Sequence, residues 1–519
     1  MNRAENLKRL EEPLDVLVIG GGATGLGAAV DATARGYRTG LVEAVDFAKA
    51  TSSRSTKLVH GGVRYLQQGN VALVREALHE RAALRRNAPH LVDELGFICP
   101  IYRWWEGPYY FTGLKAYDLL AGAANFHPSR YLGRKETLAK LPDMKKAGLH
   151  GSILYYDGLF DDARLALTLA RTAVDGGAAV ANYARATTFL YENGRVCGVH
   201  VRDDEEGRTY EVRARVVVNA TGIFVDELRK LDDAGALPLL SHSRGSHLVF
   251  PSDLFRGSVA LLVPRTADGR VLFAVPWHGH VVVGTTDIPV QHAELDPVPT
   301  REEVDFIVEQ VNAYLEKPVK RTDALAAFAG LRPLVSGAGA VTAKLSREHL
   351  VVSSRSGMVT VTGGKWTTYR KMAEDTIDEA ARQGGLPPVP SPTATLPLHG
   401  SPGPSGHPSD AGYAAYGTDR DALLALERAD PSLAQRLAAG LPYTRTEVVF
   451  AARSEMARTV DDVLSRRTRS LFIDVAAARA AAPSVAALLA LELGRDEAWQ
   501  REQVAAFERI AMQDAAQIG

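Results

Sequence analysis

Leu14-Asp15-Val16-Leu17-Val18-Ile19-Gly20-Gly21-Gly22-Ala23-Thr24-Gly25-Leu26-Gly27-Ala28-Ala29-Val30 is the stretch whose reading decides the fold. Residues 14–19 form an apolar, largely β-branched run that reads as a buried parallel strand. Gly20, Gly22 and Gly25 follow with G-x-G-x-x-G spacing, and residues 26–34 continue with helical character. Each glycine has its own task. Gly20 permits the tight turn, Gly22 lets a pyrophosphate approach the backbone, and Gly25 lets helix and strand pack closely. The helix start then directs its amides and positive dipole end at the phosphates. A second strand, 37–42, ends in Glu43, a carboxylate placed for the ribose hydroxyls of an adenosine half. A glycine-rich turn alone is often only a turn. Strand, glycines, helix, second strand and terminal acid in this order indicate dinucleotide binding.

The composition bounds what surrounds this unit. The 519 residues allow two to four domains, and 46% hydrophobic with 23% charged residues is ordinary for a soluble globular chain. A formal net charge of −1 offers no global field for nucleic acid, so no nucleic-acid partner is expected. Cys99 and Cys197 are the only cysteines, which excludes a disulfide framework and a four-cysteine iron–sulfur site and fits a reducing compartment. No metal-ligand set is assigned. The start of the chain is polar and carries no signal-peptide pattern, and no stretch approaches eighteen uninterrupted apolar residues. The expectation is a protein that is not integral to a membrane.

A hydroxyl-rich loop, Thr51-Ser52-Ser53-Arg54-Ser55-Thr56-Lys57, leads into Leu58-Val59-His60-Gly61-Gly62-Val63-Arg64-Tyr65-Leu66. It reads either as a surface loop with a glycine turn or as a second segment wrapping a large cofactor. Residues 71–95 have helical period. Between Ile101 and Tyr131 lie nine aromatic residues, among them Trp104, Trp105, Tyr109 and Tyr117, interspersed with Arg103, Lys115 and Arg130. Such a mixture suits the headgroup layer of a membrane; inward packing or a homodimer contact are the alternatives. Asp161 or Asp162 is expected to cap a helix, and Asn193-Gly194 to turn a hairpin between two strands. The strand 215–219 ends at Ala220-Thr221-Gly222, a small-residue turn that lets backbone sit close to a ring system.

Residues 236–340 alternate strands and turns and read as a mixed β-sheet. His247 precedes an apolar strand, where a packed histidine is the commoner outcome. Thr285-Thr286-Asp287 ends another strand and reads as a capped turn. Arg332, between Gly330 and Pro333 among apolar residues, is a poor candidate for a solvated charge and calls for an anionic partner. Arg347 is either a second pocket cation or an ion pair with Glu348. Gly363-Gly364-Lys365-Trp366-Thr367-Thr368-Tyr369-Arg370 opens a further helix, again offering amides and a positive dipole end. Eight prolines between Pro387 and Pro408 mark an extended linker, and the sequence from about Asp419 onward is helical. The basic run Arg466-Arg467-Thr468-Arg469 is read as a solvated face.

Ala50-Thr51-Ser52-Ser53, then Lys57 through Leu66, the 363–370 motif and the helical run Glu455–Arg469 together resemble the FAD-dependent glycerol-3-phosphate dehydrogenase family, within the glycine and D-amino-acid oxidase group of flavoproteins. The resemblance spans about Leu14 to Ile510. Trp366 stands where that family usually carries leucine. The resemblance implies an α/β fold with a discontinuous Rossmann-like FAD domain (14–85, 150–235, 341–385), a mixed β-sheet substrate domain (86–149, 236–340), a linker at 386–410 and an all-α domain at 411–519.

The cofactor implied is FAD, contacted by Gly20, Gly22, Gly25, Glu43, Thr51, Ser52, Ser53, Lys57, His60, Gly61, Gly62, Ala186, Ala220, Thr221, Gly222, Gly364, Trp366 and Thr367. The reaction implied is hydride transfer from C2 of sn-glycerol 3-phosphate to flavin N5, giving dihydroxyacetone phosphate. His247 would be the base, Arg332 would hold the C2 oxygen, and Lys365 would complete the catalytic set while reaching the phosphate. Arg64 and Arg347, helped by Tyr65, Thr285 and Thr286, would bind the phosphate dianion. With too few cysteines for an iron–sulfur relay, electrons would pass to a membrane quinone, placing a cytoplasmic protein peripherally on the inner face of the cytoplasmic membrane. An oxidase producing peroxide from oxygen, or an FAD-dependent amine or amino-acid oxidase, are the alternatives.

Overall fold

The computed structural model describes residues 1–67, 69–335, 349–402 and 412–519, with the side chains of Arg64 and Gln67 undescribed. Its frame is the strand Leu14–Ile19, hydrogen-bonded in parallel to Thr39–Val42 on one side and Thr209–Asn219 on the other. The register sets Val16 against Val216 and Val18 against Val218. Val16, Leu17 and Val18 are fully buried because both faces of this sheet are covered. The helices Ala23–Ala34, Asp162–Asp175 and Tyr369–Gly384 cover one face. On the other, Leu17, Ile19 and Val42 pack with Val199, Val201 and Tyr210 of a β-hairpin layer. Each such aliphatic side chain contributes about 1.5–3 kcal/mol. Among the described residues this sheet has eight strands, extended by Ala179–Ala181 at one edge and by Val359–Gly363 and His349–Ser353 at the other.

A second sheet of ten strands is mixed and carries the long pair Leu240–Pro251 and Ala326–Val335, aligned antiparallel along ten residue pairs. The sequence division at 85 and 150 differs from this arrangement. Leu58–Val59 hydrogen-bonds into the second sheet against Gly151–Phe160, which in turn pairs with Val92–Ile101. The hairpin about Asn193-Gly194 joins Ala184–Glu192 to Arg195–Asp203, and Asp161 caps the helix Asp162–Asp175 by accepting from the amides of Ala163 and Arg164.

The described part of the proline-rich stretch is strapped to the first unit. The Leu398 amide donates to Asn87 O, Asn87 Nδ2 to Thr393 O, and Arg35 Nη1 to Val389 O. Extended backbone with few amide donors lies flat on a surface that supplies the missing partners.

The C-terminal part is helical, ending in Val475–Leu493 and Glu497–Ala515. Val475–Leu493 is long and apolar enough to cross a membrane by length and composition. Here its Ala478, Ala481, Val485 and Leu489 are buried in the C-terminal core. The reading of residues 466–469 as a solvated face is corrected. Arg466, Arg467 and Arg469 are 2%, 3% and 1% exposed, and each is paired with buried aspartate: Asp46 and Asp462, with half-buried Asp461, for Arg466, Asp46 for Arg467, Asp162 for Arg469. The partners lie as far as 421 residues away in sequence, so a local charge pattern gives no sign of them.

Two glycines separate close packing from mere helix propensity. A Cβ on Gly25 would stand 2.0 Å from Gly20 O, whereas one on Gly113, inside the helix Glu106–Ala121, meets nothing within 4 Å. Gly25→Ala is expected to lower unfolding stability by about 1–3 kcal/mol, and Gly113→Ala to raise it by about 0.5–1 kcal/mol. Chemical denaturation of the two variants checks both signs.

Candidate active site

At the end of Leu14–Ile19 the chain turns through Gly20 at φ +114°, so close to Ala220 that a Cβ would come 2.5 Å from its carbonyl oxygen. This contact opens a cavity of about 410 Å³ over the start of the helix Ala23–Ala34. Gly20, Gly22, Glu43, Thr51, Ser52, Ala186, Ala220, Thr221, Gly222, Gly364 and Trp366 all line it, and so does Lys365. Four segments distant in sequence are joined there. The Ala23 amide donates to Ser52 Oγ at 2.9 Å, Trp366 Nε1 donates to Ser52 O at 2.8 Å, and Thr51 Oγ1 donates to Leu331 O at 2.6 Å. Gly22 caps the helix with no side-chain hydrogen bond, leaving the cap position clear for a phosphate. Open space faces Gly222 at φ +61°.

Glu43 accepts from the Gly21 amide at 2.6 Å and the Val45 amide at 2.9 Å. Burial raises its carboxyl above the ordinary value, and the two amide bonds oppose that rise. This chemistry fits a dinucleotide: small residues where rings and pyrophosphate lie, a helix N-terminus, and an acid beside the glycine turn.

The remaining predicted cofactor residues lie behind this lining. Gly25 serves the helix–strand contact, and Gly62, at φ +77°, faces Tyr65. The Gly61 amide donates to the Tyr117 hydroxyl at 2.8 Å. The His60 amide donates to Thr367 Oγ1, which turns back to His60 O, so that pair joins two segments. Ser53 is buried and donates to Ala50 O. Lys57 differs most from expectation. Its Nζ is fully buried, 2.9 and 2.8 Å from the two carboxylate oxygens of Asp162, over the rings of Trp277 and Phe328. Burial and neighbouring Arg469 push this lysine down to about 7, against the pull of Asp162. It is a packed ion pair, because a loop that doubles back under the second sheet has no water to offer a cation.

The predicted substrate residues fall into two groups. Lys365 Nζ lies 4.8 Å over the ring of Tyr65. Arg332 precedes the cavity-lining Pro333; its guanidinium donates to Thr285 Oγ1 and Thr286 O, both at 3.1 Å, and pairs with Asp287 at 3.4 Å. The anionic partner demanded by its apolar setting is therefore Asp287. Thr286 is buried instead of facing a ligand: its hydroxyl donates to Glu303 at 2.6 Å and accepts from the Ser246 amide. The side chain of Arg64 and the whole of Arg347 lie outside the described residues.

His247 sits opposite Gly284 and Phe328 in the sheet register, stacked on the Phe328 ring at 4.7 Å and 14°. Nε2 is 3.0 Å from Thr56 Oγ1, and Nδ1 has no hydrogen-bond partner among the described residues. Burial, with Lys57 and Arg332 nearby, holds this imidazole well below its ordinary value and therefore neutral at pH 7. Sequence reading passed over Lys49, Arg185 and Met372, which also line the cavity. Arg185 adjoins the predicted Ala186, but nothing in the local sequence marks Lys49 or Met372.

Residues 15–370 match the family model described as FAD dependent oxidoreductase, and residues 391–500 match the C-terminal domain of alpha-glycerophosphate oxidase. The human mitochondrial glycerol-3-phosphate dehydrogenase is 42% identical, covering 94% of this chain and 72% of that protein. The Arabidopsis thaliana mitochondrial enzyme of the same name is 41% identical over 95% of this chain and 85% of its own length. The crystal structure of the Bacillus halodurans glycerol-3-phosphate dehydrogenase complexed with FAD superposes with a TM-score of 0.80 at 31% identity, covering 99% of this chain and 98% of that one. A glycine oxidase from Geobacillus kaustophilus, at 18% identity and a TM-score of 0.54 over 74% of this chain, shares the fold alone. Glycine turn, joined segments and cavity thus have their counterpart in a known group, and the chain belongs to the family of FAD-dependent oxidoreductases.

Proposed function

We propose that this protein oxidises sn-glycerol 3-phosphate at C2 to dihydroxyacetone phosphate with FAD as cofactor, and passes the electrons to a membrane quinone. The observation that carries the reading is the meeting of two cationic segments at the dinucleotide cavity: Lys365 lines it, and Arg332 immediately precedes the lining residue Pro333. Such charge fits an anionic substrate and leaves a simple amine unexplained. The extensive identity to proteins named glycerol-3-phosphate dehydrogenase supports the same substrate.

Bound FAD supplies the hydride acceptor. The residues that would hold it are Gly20, Gly22 and Ser52 at the pyrophosphate, Glu43 at the ribose, and Gly364 with Trp366 at the ring end. The rest is done by side chains. Neutral His247 takes the C2 hydroxyl proton, with Nδ1 as the nitrogen left open by the Thr56 contact. Arg332, already held in place by Thr285 and Asp287, stabilises the negative charge that develops on the C2 oxygen. Lys365 and Tyr65 hold the phosphate end, together with Arg64 and Arg347.

The membrane side of the proposal rests on the helix Glu106–Ala121. It turns Leu114, Tyr117 and Ala121 inward and leaves Trp105, Tyr109 and Leu119 exposed, with Trp104 before it 80% exposed. Arg103 and Lys115 flank these rings at the surface. Amphipathic rings beside cations fit a headgroup layer. We place the protein on the inner face of a cytoplasmic membrane, where a quinone is within reach.

Under anaerobic conditions, sn-glycerol 3-phosphate is expected to bleach the flavin absorbance; unchanged absorbance would sink the substrate assignment. His247→Asn should slow this bleaching by about 10²–10⁴-fold and Arg332→Met by about 10²–10³-fold, with FAD content preserved. Because a base must be neutral and burial lowers the imidazole value, kcat at saturating substrate, where ionisation of the free substrate phosphate at about 6 does not enter, should show no acid limb at the ordinary histidine value of 6.5, only at lower pH. Reoxidation by a quinone analogue should far outpace reoxidation by oxygen; the reverse ratio would make the protein an oxidase. In flotation with phosphatidylethanolamine–phosphatidylglycerol vesicles, the triple variant Trp104→Ser/Trp105→Ser/Tyr109→Ser should lose most of its bound fraction. Undiminished flotation with loss of a dimer would assign this face to a subunit contact instead.

A further inference from the structure

The wall of the cavity between Glu43 and Ser52 is loop, with only the short 3-10 turn Thr51–Ser53 as regular structure. Its shape is set by charges that come from the C-terminal helical part. Asp46, fully buried, accepts from Arg466 Nε and Arg467 Nη1, from Arg467 Nη2 at 2.9 Å, and from Asn182 Nδ2 at 3.1 Å. Three residues on, Lys49 donates to Asp461 at 2.9 Å and pairs with Asp296 at 2.8 Å. Four residues further, Ser53 O accepts from Arg469 Nη2 at 2.6 Å. Three points along residues 43–53, Lys49 in the cavity lining and Asp46 and Ser53 behind it, are thus tied to one nine-residue stretch, 461–469. Arg466 is itself fixed by Asp461 and Asp462, so the stretch is braced before it reaches the loop.

We infer that residues 461–469 are positioning residues for the cofactor: the C-terminal part sets how tightly FAD is held by keeping the 43–53 wall in its binding shape. A wall ordered beforehand does not have to be ordered at binding, and affinity gains by that difference. Buried pairs suit this task because removing one partner leaves an uncompensated charge, so intermediate loop positions are strongly disfavoured. The inference rests on FAD as the cofactor but not on the substrate, and FAD retention is measured without substrate.

The test compares three holoenzyme variants. Asp46→Asn removes the central tie, and Asp461→Asn removes a tie to Lys49 and Arg466 at a less enclosed position. Asp419→Asn breaks the Arg171–Asp419 pair, which joins the same C-terminal part to the helix Asp162–Asp175 away from residues 461–469 and the 43–53 wall. Asp46→Asn should release FAD about tenfold faster or more, with an altered visible circular dichroism of the bound flavin, and Asp461→Asn should shift both in the same direction. Saturating FAD should restore kcat in both with KM for substrate unchanged. Asp419→Asn should lower the thermal midpoint yet keep FAD release within about twofold of the parent. If Asp46→Asn does not fold, Asp461→Asn decides alone. Parent-like FAD retention in folded Asp46→Asn and Asp461→Asn, or equal loosening by Asp419→Asn, would overturn the inference.

Discussion

Everything in this molecule is arranged around one close approach of backbone to backbone. At the end of the central strand Gly20, Gly25 and Ala220 meet so tightly that a single added carbon on Gly25 would stand 2.0 Å from the Gly20 carbonyl oxygen. The helix Ala23–Ala34 therefore starts directly over the strand ends, with its N-terminus at the cavity. Without that approach the helix would stand off by the width of a methyl group, and phosphate would meet side chains instead of amides. The parallel neighbours Thr39–Val42 and Thr209–Asn219 then deliver Glu43 and Ala220–Gly222 to the same place, because parallel strands end on the same side.

The second sheet solves a different problem, that of holding a buried histidine and a half-buried arginine in fixed orientation. Strand register alone sets His247 between Gly284 and Phe328, where the missing Cβ of glycine makes room for the ring and the phenyl face supports it. Arg332 is held by hydroxyl, carbonyl and carboxylate from the turn 285–287, so its direction is fixed before any substrate arrives. Pre-oriented donors act on developing charge without having to reorganise. Burial lowers the basicity of the imidazole, but it also keeps it unprotonated, as the proposed role of proton acceptor requires.

Buried charge recurs as the means of joining parts. Lys57 with Asp162, Arg164 with Glu455, and Asp46 with Arg466 and Arg467 each tie segments that are remote in sequence. Such pairs add little net stability against apolar packing, but a slipped arrangement would strand a charge in low dielectric. Of these, the Asp46 pairs stand between the C-terminal part and the cofactor wall, where position matters more than stability.

What the sequence determined by itself was the part governed by short-range rules. The strand–glycine–helix unit, Glu43 at the end of the second strand, the Asn193-Gly194 hairpin and the cap at Asp161 follow from neighbours within a few residues, because turns, caps and β-branched runs act over that distance. The turns at 220–222 and 363–366 were legible as places where backbone is bare. Tertiary structure alone decided the fate of charge. Lys57 was expected among the cofactor contacts and is a packed pair; Arg466, Arg467 and Arg469 read as a solvated face and are buried in ion pairs; Thr286 was expected at the substrate phosphate and is bound to Glu303. A side chain's charge is written in the sequence, but its solvent and its partner come from segments hundreds of residues away, and those two things decide whether it binds, catalyses or only holds the fold together.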